Sequence, residues 1–115
     1  MRSAADVLQA MVDAFRSGDV SQVEDYVAAD YHDHQGLDGL AVFGPEGFVR
    51  VVRAARTSFV TLDVDIGESD TDGANIEARL RWRGLRADGS VDERETIDRL
   101  HVRGGLAVAH WGRPL

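Results

Sequence analysis

The chain contains no cysteine, which excludes disulfide bonds, thiolate chemistry and cysteine-ligated metals. It also lacks low-complexity runs, internal repeats and linkers, so nothing divides its 115 residues. That length suits one hydrophobic core, and we expect a single domain over residues 1–115. No stretch is long or apolar enough to span a membrane, and the N-terminal residues lack the apolar core of a signal peptide. The expected location is therefore the cytoplasm.

Positive charge is in short supply as well. Thirteen Lys and Arg residues stand against 20 Asp and Glu residues, which gives a formal net charge of −7. Nucleic acids and anionic membrane surfaces bind basic patches, so an acidic chain is poorly suited to either of them. We therefore expect neither a nucleic-acid partner nor a membrane partner.

The hydrophobic pattern predicts three helices in the first half of the chain. Ser3 opens the first with a capping box and Gly18 ends it, Ser21 opens a short second helix, and Gly44-Pro45 starts the third. From Thr61 onward apolar residues alternate with polar ones, which is typical of strands with one buried face. Helices followed by antiparallel strands indicate an α+β domain with helices on one face of a curved sheet.

The polar segment between the second and third helices is harder to place. Asp30 to His34 predicts a short edge strand, and Gln35 to Phe43, which contains two glycines, predicts a loop. In the sheet we expect the apolar members of the alternating pattern to be buried, namely Leu62, Ile76, Leu80, Leu100 and Val108.

Asp98 is the main functional candidate because it lies on the apolar side of its strand. It shares one face with Leu100 and Val102, and a carboxylate among such side chains is costly unless it has a partner. A catalytic or ligand-contacting acid is one interpretation. The other is a structural acid bonded to a buried backbone group or a tryptophan.

The register of the sheet decides which side chains join Asp98. Three-residue loops at Ala87-Asp88-Gly89 and Arg103-Gly104-Gly105 place His110 opposite Asp98. A two-residue turn at Gly104-Gly105 would instead put Trp111 there and point His110 outward. The preferred register also pairs Ala78 with Asp98, Leu80 with Thr96, Arg81 with Glu95 and Arg83 with Glu93.

Two histidines are further candidates. Either His34 or His110 could bond a substrate oxygen or fix the protonation state of Asp98, although each could equally be structural. His32, Asp33 and His34 have no further ligand at a recognisable spacing, so we expect no metal site. Arg94 shares the face of Asp98, and the aromatic side chains expected to line the core or a substrate pocket are Tyr31, Phe43, Phe48, Trp82 and Trp111.

Five segments in order resemble the SnoaL-like polyketide cyclases of the NTF2-like superfamily, which also includes ketosteroid isomerase and limonene-epoxide hydrolase. The resemblance implies a cone-shaped fold around a deep apolar pocket. It implies cofactor-free ring closure of a small carbonyl compound by intramolecular aldol condensation, with Asp98 as acid and base. The segments are Arg16-Ser17-Gly18-Asp19-Val20, Tyr31-His32-Asp33-His34, Gly44-Pro45-Glu46-Gly47-Phe48, Ile97-Asp98-Arg99-Leu100 and Ala109-His110-Trp111.

Two departures from the resemblance narrow the expected chemistry. Met11 stands where the isomerase has a tyrosine, so isomerase chemistry is not expected, and Gly84-Leu85-Arg86 replaces the usual Gly-Thr-His of the cyclases. The alternatives are an epoxide hydrolase, whose Asp-Arg-Asp set needs a second inward Asp, and a small-molecule-binding protein without catalysis. Two or more ionisable groups in one cavity would favour chemistry, whereas Asp98 alone would favour binding.

The outer face of the sheet suggests a second copy of the chain as a partner. Ile97 and the largely apolar strand of Ala107, Ala109 and Trp111 would otherwise meet water. Members of the resembled family are commonly dimers. We therefore expect a homodimer.

Overall fold

The structure, a computed structural model, describes residues 1–115. Six strands form one curved sheet in the order β2-β1-β6-β5-β4-β3, and two α-helices cover one of its faces, here called the inner face. None of the helices is long and apolar enough to cross a membrane. The elements are α1 (Ala4–Ser17), a 3-10 turn (Val23–Asp25), β1 (Val27–Leu37), β2 (Leu40–Phe43), α2 (Gly44–Thr57), β3 (Thr61–Asp72), β4 (Asn75–Leu85), β5 (Val91–Arg103) and β6 (Leu106–Pro114).

The prediction of three helices is wrong, because only two α-helices form. The first capping box is confirmed: the Ser3 hydroxyl accepts the Asp6 backbone N–H at 3.1 Å, and Gly18 ends α1 with φ +77°. Ser21 was expected to open the second helix, but its hydroxyl donates to Asp19 at 2.6 Å and does not cap the next turn. Without a cap the chain makes a single 3-10 turn.

The polar segment predicted as an edge strand and a loop instead forms β1, a long strand within the sheet, and the hairpin that joins it to β2. β1 lies between β2 and β6, antiparallel to the first and parallel to the second, so the sheet is mixed and not wholly antiparallel. Gly36 permits the hairpin with β2, because its φ is +61° and a Cβ there would lie 1.7 Å from the Leu40 carbonyl oxygen. A pattern rich in glycine predicted a loop where the glycine in fact shapes a strand pair.

The predicted register of β4 and β5 is confirmed throughout. The loop Ala87-Asp88-Gly89 has three residues, Leu85 pairs with Val91, and Gly89 adopts φ +86°. The pairs Ala78–Asp98, Leu80–Thr96, Arg81–Glu95 and Arg83–Glu93 all form, the last two as exposed ion pairs of 3.4 and 3.2 Å.

The turn between β5 and β6 differs from the prediction. Arg103 pairs with Leu106, so Gly104-Gly105 is a two-residue turn, with φ of +61° and +77° at its glycines. A β-bulge then leaves Val108 as an extra, unpaired residue between the partners of Val102 and His101.

Because of the bulge, the β6 side chains after Val108 point to the same sides of the sheet as they would after the predicted three-residue loop. His110 pairs with Leu100 and Gly112 with Asp98, so His110 is on the inner face beside Asp98 but not directly opposite it. Ala107 is fully buried, whereas Val108, predicted to be buried, is only partly so. The other predicted core positions are confirmed: Leu62, Ile76, Leu80 and Leu100 are all buried under the two helices.

Candidate active site

A cavity of about 250 Å³ lies between the two helices and the inner face of the sheet. That volume falls between a cavity that holds benzene and the usual site of a drug-sized ligand, so a small ring compound fits it. Its walls are mainly apolar, from Leu8, Met11, Val12, Phe15, Phe48, Val51, Ala55, Phe59, Leu62 and Leu80. Polar side chains enter it from β1, β4, β5 and β6.

The centre of the polar region is an imidazole held between two carboxylates. His110 Nε2 lies 2.6 Å from Asp98 Oδ2, and His110 Nδ1 lies 2.9 Å from Asp33 Oδ1. Asp33 and Asp98 are 3 % and 5 % exposed, so neither carboxylate has water as its main partner. Three ionisable groups from three neighbouring strands therefore converge on the cavity.

The direction of the hydrogen bonds at Asp98 follows from Trp82. The indole Nε1–H can only donate, and it donates to Thr96 Oγ1 at 2.9 Å. The Thr96 hydroxyl is left to donate its own proton, which it gives to Asp98 Oδ1 at 2.5 Å. Oδ1 of Asp98 is the acceptor of this bond.

The same reasoning fixes the bonds at Asp33. Its Oδ1 accepts the backbone N–H groups of Gln35 at 3.0 Å and Gly36 at 3.1 Å, so His110 Nδ1 must also donate to it. All protons of the network are then placed except the one between His110 Nε2 and Asp98 Oδ2. That proton lies in the shortest contact of the imidazole.

The two carboxylates beside His110 raise its pKa by more than burial lowers it. Burial lowers the pKa of His110, but its hydrogen bonds to Asp33 and Asp98 and their negative charges raise it to about 9. Burial raises the pKa of Asp33, but the bond to His110 and the backbone donors of Gly36 and Gln35 leave it below its usual value. At neutral pH His110 is therefore an imidazolium and Asp33 a carboxylate beside it.

Gly112 makes room for this array on β6. It pairs with Asp98, and a Cβ at Gly112 would lie 2.3 Å from Gln35 Oε1 and 3.0 Å from Asp98 Oδ2. A side chain there would push Gln35 away from the cavity and crowd the carboxylate. Glycine is therefore needed here because side chains of β1 and β5 lie close to its backbone, and not because the chain turns.

At the rim of the cavity two arginines share one carboxylate. Asp92 Oδ2 accepts from Arg94 at 2.6 Å and from Arg86 at 3.1 Å, and Arg86 also lies over the Phe59 ring at 5.2 Å. The bond to Arg94 is the main reason that the pKa of Asp92 is lowered. Arg94 is 63 % exposed, so it borders the cavity without reaching its interior.

Six of the nine predicted site residues border the cavity: Tyr31, Phe48, Trp82, Arg94, Asp98 and His110. The other three do not. His34, Phe43 and Trp111 lie outside it, and the prediction that Phe43 and Trp111 line the core or pocket is wrong, because they are 62 % and 40 % exposed.

These three residues belong to a stack of planar groups on the outer face. The His34 ring stacks on Trp111 at 4.7 Å and on His32 at 3.7 Å, and His32 in turn contacts Phe43 at 4.6 Å. Arg99 lies over Trp111 at 5.6 Å. Side chains alternate along a strand, so His32 and His34 face outward because Tyr31 and Asp33 face inward.

Asp33 is the site residue that the sequence analysis missed. It was considered only as part of a weak metal pattern with His32 and His34. The signal that could have found it is its spacing from Tyr31, since residues two apart share one face of a strand. Asp33 is the second inward Asp that the epoxide hydrolase alternative required.

A model of the SnoaL-like domain family matches residues 8–110. The chain belongs to the SnoaL-like family. That match covers most of α1, all of α2, β1 to β5 and the part of β6 that carries His110. No curated protein matches the chain.

Solved structures similar to this SnoaL-like protein share its fold. Wild-type IdmH of Streptomyces antibioticus, a candidate polyketide cyclase, aligns with a TM-score of 0.83 and 21 % identity over 96 % of this chain and 91 % of that one. A candidate polyketide cyclase of Bacillus cereus gives 0.82 and 22 % over 96 % and 71 %. An NTF2-like protein of Anabaena variabilis gives 0.82 and 15 % over 97 % and 86 %. At such identities the likeness concerns the fold alone.

The raised pKa of His110 predicts that the protein loses stability in alkali. A folded-state pKa above the unfolded value stabilises the fold fully below about pH 6.5, and this stabilisation is lost as the pH rises through about 9. The shift from 6.5 to about 9 corresponds to roughly 3 kcal/mol. Urea unfolding between pH 6 and 10 measures this fall in the free energy of unfolding.

His101→Gln is the matched control for the alkaline loss. His101 lies on the neighbouring strand and bonds only Asn75, at 3.0 Å, so its replacement should leave the pH dependence unchanged. Stability that stays constant from pH 6 to 10 in the wild-type protein would contradict the charged form of His110.

Proposed function

We propose that this SnoaL-like protein is a single-domain, cofactor-independent enzyme that closes a ring in a small carbonyl compound by intramolecular aldol condensation. The observation that supports the proposal is the Asp33–His110–Asp98 array at the polar end of an apolar cavity. Ionisable groups that converge in a cleft are typical of acid and base chemistry. The related structures described as candidate polyketide cyclases agree with this assignment.

In the proposed mechanism Asp98 is both base and acid. It removes a proton from the carbon beside a substrate carbonyl, using lone pairs that its two hydrogen bonds leave free. The resulting enolate carbon attacks a second carbonyl of the same molecule, forming the ring bond and an alkoxide. Asp98 then returns the proton to the alkoxide. These steps are the addition stage of an aldol condensation and stop at the ring alcohol, so no atom is gained or lost and no co-reactant is required.

The remaining members of the array position Asp98. The His110 imidazolium and the Thr96 hydroxyl each hold one of its oxygens, which fixes the carboxyl plane against the cavity. Asp33 holds His110 in turn, and the backbone of β1 holds Asp33. Groups held in this way need little reorganisation during the reaction.

The base also limits the substrate. A carboxylate is a weak base compared with a simple enolate, so the carbon must already be acidified, as between two carbonyl groups. The cavity volume of about 250 Å³ favours one or two rings. We therefore propose small β-dicarbonyl compounds as the substrate class.

Asp98→Asn should slow the removal of the substrate proton by about 10²- to 10⁴-fold, the usual contribution of a general base. Proton–deuterium exchange at the acidified carbon of small aromatic β-ketoesters, followed by NMR, measures this step without the natural substrate. The variant also leaves His110 with one carboxylate fewer, which should lower the pKa of His110 and cost up to roughly 3 kcal/mol of stability.

Asp65→Asn is the control for this experiment. Asp65 is an exposed carboxylate on β3 outside the cavity, so its replacement makes the same chemical change without touching the array. Exchange at the wild-type rate in Asp98→Asn, with the fold retained by circular dichroism, would contradict the mechanism. A non-catalytic binding protein would show no enzyme-dependent exchange in any variant.

Epoxide hydrolysis is the second candidate, and Asp33 favours it. The hydrolase set of two carboxylates around an arginine has a counterpart here in two carboxylates around the His110 imidazolium. One carboxylate would activate a water molecule while a protonated group opened the epoxide.

The ring-closure proposal expects no hydrolysis of styrene oxide by the wild-type protein. The position of His110 between the carboxylates suits orientation of one base and provides no separate site for a water molecule. Chromatography of the diol product tests this expectation. Diol formation that is lost in both Asp33→Asn and Asp98→Asn would replace ring closure by epoxide hydrolysis.

We also propose that the protein forms a homodimer through its outer sheet face. The exposed Phe43 and Trp111 rings and the partly exposed Ile97 support this proposal, whereas Ala107 is fully buried and does not contribute. Light scattering at tens of micromolar, roughly the range in which a weak interface is populated, should give twice the monomer mass. Ile97→Glu should give the monomer, and a wild-type monomer would contradict the proposal.

A further inference from the structure

Tyr31 carries the only buried side-chain polar atom that has no hydrogen-bond partner in the protein, its hydroxyl oxygen. The residue is completely buried, and it borders the cavity beside Asp33 and Asp98. Its ring packs edge-on against Phe48 at 6.4 Å, which fixes the direction of the hydroxyl. In the network beside it, Asp33 Oδ1, both ring nitrogens of His110 and both oxygens of Asp98 are bonded.

The nearest charged group does not explain this hydroxyl. Burial, and after it the negative charge of Asp33, raises the pKa of Tyr31, so the phenol stays protonated and remains a donor. The Asp33 carboxylate also raises this pKa through a hydrogen-bond contact with the phenol, but the contact falls outside the distance and angle of a formed hydrogen bond. Its Oδ1 already accepts from His110 and two backbone groups.

A donor left unbonded at this depth is unfavourable for the free protein, and such groups in native structures call for an explanation. A substrate oxygen beside the Asp98 carboxylate would remove the cost. We propose that the Tyr31 hydroxyl donates a hydrogen bond to the carbonyl oxygen of the substrate, while Asp98 faces the adjacent carbon. This rests on the proposed function and adds which protein group binds the reacting carbonyl.

The proposal also specifies the charge of the ligand. Two carboxylates and one imidazolium leave the polar end of the cavity with a net negative charge, so it favours a neutral carbonyl compound over an acid. As Asp98 removes the proton, negative charge grows on the carbonyl oxygen, and the bond from Tyr31 strengthens at that moment. Tyr31 would then be a catalytic residue.

The test uses two ligands of equal shape that cannot react, acetophenone and 2-phenylpropene, in which CH₂ replaces the carbonyl oxygen. Their binding to the wild-type protein is compared with binding to Tyr31→Phe. Tyr26→Phe is the matched control, because Tyr26 is the other of the two tyrosines and also packs edge-on against Phe48, at 6.1 Å, but does not border the cavity.

Tyr31→Phe should weaken acetophenone about three- to tenfold, the effect of one hydrogen bond. It should leave 2-phenylpropene unchanged, and Tyr26→Phe should change neither. The infrared carbonyl stretch of bound acetophenone should be lower in the wild-type protein than in Tyr31→Phe. The urea midpoint of ligand-free Tyr31→Phe should match or exceed the wild-type value, since no bond within the protein is lost.

Three results would overturn the role of Tyr31: equal affinity of the wild-type protein for the two ligands, no binding of acetophenone, or a lower urea midpoint in Tyr31→Phe. The last would show that the hydroxyl is bonded within the protein. Neither ligand can form a ring, so these outcomes do not depend on turnover. The exchange experiment with Asp98→Asn can fail separately.

Discussion

The contact of His110 with Asp33 and Asp98 is the interaction on which the rest of the structure depends. Two carboxylates buried in an apolar cavity are tolerated only with a partner, and loss of one member of such a pair commonly costs about 3–5 kcal/mol. The array joins β1, β5 and β6, so it ties the parallel strand pair to the antiparallel one. The bulge at Val108 and the bare backbone of Gly112 both serve its geometry.

Within this array the hydrogen bonds assign almost every proton to one atom. The bonds run from Trp82 through Thr96 to one side of Asp98, and from the β1 backbone to Asp33 on the far side of His110. The remaining proton, between His110 and Asp98, belongs to the imidazole at neutral pH because the pKa of His110 is raised to about 9. A carboxyl group held in this way at the end of an apolar cavity suits a reaction that takes a proton from the substrate and gives it back, as ring closure does.

The fold and half of the array could be predicted from local pattern. Alternation placed Asp98 on the inner face, and the preferred register placed His110 there too, although a two-residue turn and a bulge, and not a three-residue loop, produce that facing. The position of Asp33 depends on β1 pairing with β6, a long-range contact that no local pattern encodes. The Val108 bulge could not be predicted from local pattern either. A two-residue turn followed by a bulge leaves the same alternation of inward and outward side chains as a three-residue loop. The register that turns His110 inward turns Trp111 outward, so Trp111 could not also line the pocket.

The parallel pairing of β1 with β6 has a consequence for how the protein acquires its site. Asp33 and His110 are separated by 77 positions along the chain, and contacts of such separation form late because the intervening loop must close first. On the ribosome, β1 therefore waits without its parallel neighbour until β6 has emerged. Until then Asp33 keeps its water, and Asp98 on β5 lacks the imidazole that holds it. Formation of the Asp33–His110–Asp98 array thus depends on closure of this long loop.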